Sequence, residues 1–200
     1  MAKRKLYHTS PSEIDQINDQ GRFGSSLFFS YEPYFMTTSD NPITYELETE
    51  EEDEDKDYLD VNEIPYLDDE KQKKLKPILN KIKNMTGLDD EEALDLLSER
   101  TDIYSLYGQL ENYVNYYHEN DNSDEDEKKK NFEKFQNLQD EDLGELSWDI
   151  QKLAGKAAKA LGYKGAKLFD EQGVSYLIDM LGREKELKKS SNEDRGLRSW

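Results

Sequence analysis

Three groups of side chains in this sequence could do chemistry together. Tyr7-His8-Thr9-Ser10 closes a first short apolar run, Phe23, Phe28, Phe29, Tyr34 and Phe35 form an aromatic set, and Asp170-Glu171 is an acid pair between two apolar runs near the other end. A carboxylate beside a ribose holds its hydroxyl and stabilises the oxocarbenium-like charge that develops as an N-glycosidic bond breaks. Aromatic walls stack a flat ring such as nicotinamide, main-chain groups beside Thr9 can hold its carboxamide, and an imidazole can bind the second ribose of a dinucleotide. The set therefore suits cleavage of NAD. Taken singly, each member is ordinary: a strand-end histidine, core phenylalanines, a turn reading Asp170-Glu171-Gln172-Gly173. Extended backbone points successive side chains to opposite faces, so one of Phe28 and Phe29 belongs to the core and one of Asp170 and Glu171 faces a cleft. Arg22 has two readings, a surface salt bridge or a bidentate donor to a pyrophosphate.

These residues fall on short strands at the two ends of the chain, with helices between them. Apolar runs at Leu6-Tyr7, Leu27-Phe28-Phe29 and residues 43–47 are broken by Pro11, Gly21, Gly24, Pro33 and Pro42, the punctuation of strands and loops. Residues 12–18 read as a short helix, with Ser12 as N-cap and Ile14 and Ile17 on one face. The acidic run over residues 46–57 reads as a solvated loop. Leu75, Ile78, Leu79, Ile82 and Met85 then fall at helical spacing, and Pro77 predicts that this helix begins close before it. A second helix starts near Asp89 and a third covers residues 103–117. The charged stretch 119–130 is expected to be a flexible connection into a short helix at 132–138. Leu146, Ile150, Leu153, Ala154, Ala157, Ala158 and Leu161 form an amphipathic helix closed by Gly162. Two strands follow at 164–169 and 174–180, and beyond Arg183 a polar tail is expected to be disordered. Strands, helices and strands in that order read as α+β.

The 200 residues carry 46 acidic against 27 basic side chains, a net charge of −19, so free nucleic acid or an anionic membrane is repelled and a basic partner attracted. Cysteine is absent and His8 and His118 are the two histidines, which excludes a disulfide framework, a thiolate nucleophile and a thiolate metal site, and predicts no metal. Lack of cysteine suits a reducing cytoplasm. No run of about 18 apolar residues occurs, and the chain reads as soluble and unsecreted.

Several blocks together resemble one family. Leu6-Tyr7-His8-Thr9-Ser10-Pro11, Gln20-Gly21-Arg22-Phe23-Gly24, Leu27-Phe28-Phe29-Ser30 and Met36-Thr37 are similar to the first half of the type I-F anti-CRISPR mono-ADP-ribosyltransferases of phages and mobile elements. Glu145-Leu146-Ser147-Trp148-Asp149-Ile150-Gln151, Lys156-Ala157-Ala158-Lys159, Leu161-Gly162-Tyr163, Asp170-Glu171-Gln172-Gly173 and Tyr176-Leu177-Ile178-Asp179-Met180-Leu181-Gly182 resemble the second half, in the same order. The resemblance implies an ADP-ribosyltransferase-like α+β fold: a split pair of small β-sheets with flanking helices and an inserted helical subdomain. It predicts the first half at residues 1–47, an acidic helical insertion at 48–140, the second half at 141–182 and a tail at 183–200.

The resemblance also implies a signature of histidine, aromatic and acid. His8 matches the first part. Phe28 or Phe29 matches the second, where many relatives have tyrosine. Asp170 or Glu171 matches the third, with Asp170 expected as catalytic carboxylate and Glu171 as its support. His8, Thr9, Ser10, Arg22, Phe23, Phe28, Phe29, Ser30 and Phe35 are the expected NAD-binding residues. His8 and the acid turn are expected to meet across one groove. The implied activity is transfer of ADP-ribose from NAD to a CRISPR effector subunit of the host, in the host cytoplasm, without direct nucleic-acid or membrane binding. Two competing expectations are a non-enzymatic acidic mimic of DNA that fills a basic channel, and the same enzyme chemistry aimed at another host protein.

Overall fold

The computed structural model describes residues 3–33, 42–50, 54–117, 124–139, 141–170 and 173–190. Tyr34, Phe35, His118 and Glu171 lie outside them. The chain divides into two compact units, one of residues 1–59 with 162–200 and one of residues 60–161.

The first unit holds the sheet. Strands β1 (Lys3–Ser10), β2 (Ser26–Ser30), β3 (Ile43–Glu50), β4 (Tyr58–Asp60), β5 (Gly165–Asp170), β6 (Gly173–Asp179) and β7 (Lys188–Lys189) lie in the order β4-β5-β6-β2-β1-β3-β7 among the described residues. β1 and β3 pair antiparallel over their full lengths, and β2 and β6 pair antiparallel over five residues. β1 and β2, at the centre, share one registered pair, Tyr7 with Ser30. The expected split thus takes the form of two well-paired halves of one seven-stranded sheet, joined at one point. Leu6, Phe29, Leu47, Tyr58, Tyr176, Ile178 and Met180 form the core on one face.

The acidic run expected as a loop is instead largely structured: its first part is β3, and a short helix α1 (Glu54–Asp57) precedes β4. The reason is cross-strand charge. Glu46 is met by Lys5 at 2.8 Å, and Glu48 by Lys3 at 3.2 Å and Lys188 at 2.7 Å, so carboxylates that repel along the sequence are neutralised across the sheet. Lys188 belongs to β7, which also replaces the expected disordered tail up to residue 190. Residues 12–18 form no helix. Their backbone N–H groups are taken by side chains elsewhere: Ile14 donates to the Tyr45 hydroxyl at 2.8 Å and Ile17 to Glu184 at 2.9 Å. Ile14 and Ile17 still reach the core, as their spacing required.

The second unit is helical: α2 (Asp69–Thr86), α3 (Asp90–Leu97), α4 (Ile103–Tyr117), α5 (Glu125–Gln139) and α6 (Leu143–Leu161), with a 3-10 turn at Val61–Tyr66. α2 begins earlier than Pro77 allowed in sequence reasoning. Pro77 lies on its exposed side, where the carbonyl it deprives of a donor can be hydrated, while Leu75, Ile78 and Ile82 on the buried side hold the helix together. α5 starts inside the stretch expected to be flexible. Lys130 and Lys134 are fixed by Asp89 and Glu92, which form the capping box of α3. α6 buries Leu146, Ile150, Leu153, Ala154, Ala157 and Ala158, and Gly162 with φ 91° ends it as expected.

Candidate functional site

The described residues expected to bind a ligand lie around the point where β1 and β2 part, on both faces of the sheet: His8, Ser10 and Phe29 share the face of Leu6, and Thr9, Phe28 and Ser30 that of Tyr7. One residue beyond the Tyr7–Ser30 pair, the ladder stops and a side chain bridges the gap: His8 Nδ1 lies 2.8 Å from the Phe28 carbonyl oxygen. A carbonyl can only accept, so Nδ1 carries the proton and donates it, which leaves Nε2 of the neutral ring with a lone pair to offer. Burial pushes the His8 pKa below its usual 6.5, and the Phe28 hydrogen bond opposes this only in part, so the ring is neutral near pH 7. Its tilt against Phe29, with centroids 5.6 Å apart, fixes the plane.

The two phenylalanines separate as alternation requires. Phe29 is 1% exposed and belongs to the core, so its face is taken. Phe28 is half-buried and meets Phe23 edge to face at 4.7 Å. Phe23 is delivered by a tight turn in which Gly24 N–H donates to Gly21 O at 2.8 Å. Gly24 has φ 66°, and a Cβ on Gly21 would lie 2.7 Å from the Gly24 carbonyl, so both positions of the turn require glycine. Arg22 sits exposed on that turn. Ser10 is buried and accepts from Ser12 N–H at 3.4 Å, and Ser30 donates to the Glu32 carbonyl at 2.6 Å.

Asp170 is placed apart from this group. It ends β5 opposite Gly173. In the row that runs through His8, Phe29, Tyr176 and Lys167, β5 is three strands from β1, and Asp170 is three residues further along. Ordinary sheet spacings make that roughly 14 Å across and about 10 Å along. Glu171 and Gln172 of the acid turn lie outside the described residues, and a ligand reaching from His8 to the Asp170 backbone would have to be elongated, as a dinucleotide is. Glu46 on β3, which sequence reasoning assigned to a loop, is a nearer carboxylate by backbone and 8% exposed, but its pairing with Tyr7 turns it to the face opposite that of His8. A hydrogen bond from Lys5 is the main cause that holds the Glu46 pKa below the usual carboxylate range, against the effect of burial. The signal that could have found it is the alternation of Glu46, Glu48 and Glu50 with Tyr45, Leu47 and Thr49. Among the described residues no cluster of side chains fit to hold a metal ion is found, and the concavity on the helical unit, lined by Asn84, Met85, Glu141, Asp142, Glu145 and Asp149, contains none of the expected site residues.

Residues 74–184 match the family described as Anti-CRISPR Type I-F ADP-ribosyltransferase AcrIF11. The match runs through most of the helical unit as well as β5 and β6. A solved structure described as "Crystal structure of an anti-CRISPR protein" is similar at 18% identity with a TM-score of 0.45, over 88% of this chain and 89% of that one. No curated protein matches the chain.

Proposed function

Because this chain belongs to the anti-CRISPR type I-F ADP-ribosyltransferase family, we propose that it moves one ADP-ribose from NAD onto a host CRISPR effector protein in the host cytoplasm and so blocks that protein's binding of target DNA. The observation that carries this reading is the imidazole of His8 hydrogen-bonded into the opening between β1 and β2. A neutral ring held by Nδ1 presents Nε2 as an acceptor of fixed direction, suited to a ribose hydroxyl. Phe23 and Phe28 supply a half-buried aromatic wall for nicotinamide. The exposed Arg22 is placed on the turn beside them, with the fork geometry that suits a pyrophosphate. These residues fit a dinucleotide that is part flat ring, part diol and part anion.

Bound NAD supplies an anomeric carbon that becomes electrophilic as nicotinamide leaves. The protein's task is to hold both ends still and to set a carboxylate against the developing positive charge. Two carboxylates compete for that role. Asp170 is the choice the sequence favours; Glu46, kept ionised by Lys5, is nearer by backbone but projects from the sheet face opposite His8. Intact-mass measurement of host proteins after incubation with NAD tests the whole reading: one added ADP-ribose on an effector subunit is expected, and no adduct on any host protein defeats it. Asp170→Ala and Glu46→Gln divide the acid role, since the responsible substitution lowers transfer by at least about a hundredfold, in the range of losing one preorganised electrostatic group.

The charge of −19 favours one other reading, a stoichiometric mimic of DNA in a basic channel. Inhibition that needs equimolar protein, ignores NAD and fades with salt would support it.

A further inference from the structure

Two features of the helical unit stand side by side, and the site described above uses neither. The first is a lysine face. Residues 71–88 hold six lysines and no acidic residue, in a chain with 46 acidic side chains. α2 buries Leu75, Ile78 and Ile82, and over the same turns it exposes Lys73, Lys74, Lys76, Asn80 and Lys81. Asp68, Asp69 and Glu70 stand at the head of the helix, where its dipole favours them. Lys71 is taken by Asp68 and Lys83 by Asp90, but Lys73, Lys74, Lys76 and Lys81 form no ion pair with any described residue.

The second feature is an aromatic platform. Tyr66, 73% exposed, closes the 3-10 turn before α2, and the Arg100 guanidinium lies over its ring, 5.2 Å from the centroid. Both partners are held in place. The Gln72 side chain on α2 donates to the carbonyl oxygens of Ile64 at 3.0 Å and Pro65 at 3.3 Å, which docks the turn one helical turn from Lys76. After α3 the chain makes a Schellman turn, in which Glu99 N–H donates to Leu96 O at 3.3 Å and Arg100 N–H to Asp95 O at 2.9 Å. Glu99 takes this turn with φ 52°, where glycine is the usual choice, and the guanidinium it aims lies 3.6 Å from the Asp95 carboxylate.

We infer that the lysine face of α2 and the Tyr66–Arg100 pair bind a single-stranded nucleic acid, its phosphates along the lysines and one base stacked on Tyr66. Lysines on a rigid helix offer a row of point charges to a phosphate backbone, and every base has a face that stacks on an aromatic ring. A duplex hides those faces. An anionic membrane fits poorly, because a membrane-surface helix must bury an apolar side and that of α2 is already packed within its own unit. An acidic protein would use the lysines and leave the exposed ring idle. The net charge of −19 led to an expectation of no direct nucleic-acid contact, but at 0.1 M salt a field fades beyond about 10 Å, so a strand lying on α2 meets mainly α2. Docking is its place in the proposed function: a host effector that holds nucleic acid offers a strand beside the protein surface to be modified.

The test uses the full chain, no NAD, and a fluorescently labelled oligouridylate of about twelve nucleotides, within the usual site sizes for single strands. Anisotropy at several salt concentrations gives Kd, and melting temperature reports folding. Lys73→Gln, Lys74→Gln, Lys76→Gln and Lys81→Gln combined are expected to raise Kd at least tenfold and to lower the slope of log Kd against log salt by about 3, four phosphate contacts at roughly 0.7 each. The same four changed to arginine should bind as the wild type does. Tyr66→Ala is expected to raise Kd at least fivefold, and Tyr66→Phe to leave it unchanged. All these side chains are exposed, so the variants should melt with the wild type. A wild type that does not bind the oligonucleotide at low salt, or glutamine and alanine variants that bind it as tightly, overturns the inference. Tighter binding of a duplex of the same length, or of polyglutamate, overturns it too, by giving the face to another partner. With no NAD present, failure here leaves the transferase reading standing, and absence of transfer leaves this result standing.

Discussion

His8 is where local chemistry and tertiary position meet, and its environment has a measurable consequence. Its pKa is lowered in the folded chain, so between that value and 6.5 the unfolded chain binds a proton that the folded one does not. Stability from this residue is therefore complete above about pH 6.5 and falls as pH drops below it, until the folded ring also titrates. Denaturant midpoints measured from pH 7.5 to 5 should show this loss in the wild type and lack it in His8→Gln; parallel curves contradict the burial of the ring. The two phenylalanines provide a second check. Phe29→Ala removes a core ring and should cost on the order of 3–5 kcal/mol of stability. Phe28→Ala, half-buried, should cost less than half of that, yet weaken binding of carba-NAD, a non-cleavable analogue, more than tenfold. Equal stability losses would show that alternation was misjudged at this strand.

At the scale of elements, the helical unit depends on a small ionic joint. Asp89 caps α3 by accepting from Glu92 N–H at 3.1 Å, and it also receives Lys130 and Lys134, the latter 5% exposed. Burial raises the pKa of Asp89, but these hydrogen bonds outweigh it and hold the carboxyl well below its usual 3.8. The sign follows: the contribution is present above about pH 3.8 and is lost as pH falls through the lower folded value. Asp89→Ala should cost about 2 kcal/mol or somewhat more, beyond an ordinary cap, because Lys134 loses a partner in a poorly hydrated position. Chemical denaturation at pH 7 measures it, and a loss under about 0.5 kcal/mol would mean that the lysines rearrange freely. Gly87 supplies a related test. With φ 72° and a Cβ that would lie 2.4 Å from Asn137 Nδ2, Gly87→Ala should destabilise by about 1–3 kcal/mol. Pairing it with Asn137→Ala should recover the steric part and leave the backbone part.

Both units of the molecule are acidic; residues 60–161 alone carry 25 acidic and 14 basic side chains. A field of that sign speeds encounter with a basic surface and weakens with salt. Replacing the exposed first turn of α5, Glu125, Asp126 and Glu127, by glutamine should slow association with the modified host protein at low salt and leave NAD hydrolysis unchanged. Association kinetics at two ionic strengths measure this, and an unaltered on-rate removes steering from the account.

The sequence by itself determined which segments bury apolar surface, since periodicity and caps are local: α3, α4, α6, strands β1, β2, β5 and β6 and the first half of β3 were legible. It determined the family too, through motifs kept in order along the chain. Tertiary structure alone decided what the charges do. Carboxylates adjacent in sequence read as repelling one another, and only the β1–β3–β7 register shows them neutralised by Lys3, Lys5 and Lys188. The short strands β4 and β7 exist through their neighbours, having too few residues to show a period of their own. Tertiary structure also decided distances between distant segments: it set Asp170 three strands from His8, and Phe28 and Glu46 on the face opposite that of His8. Pairing register depends on the whole sheet, and no spacing along one chain records it.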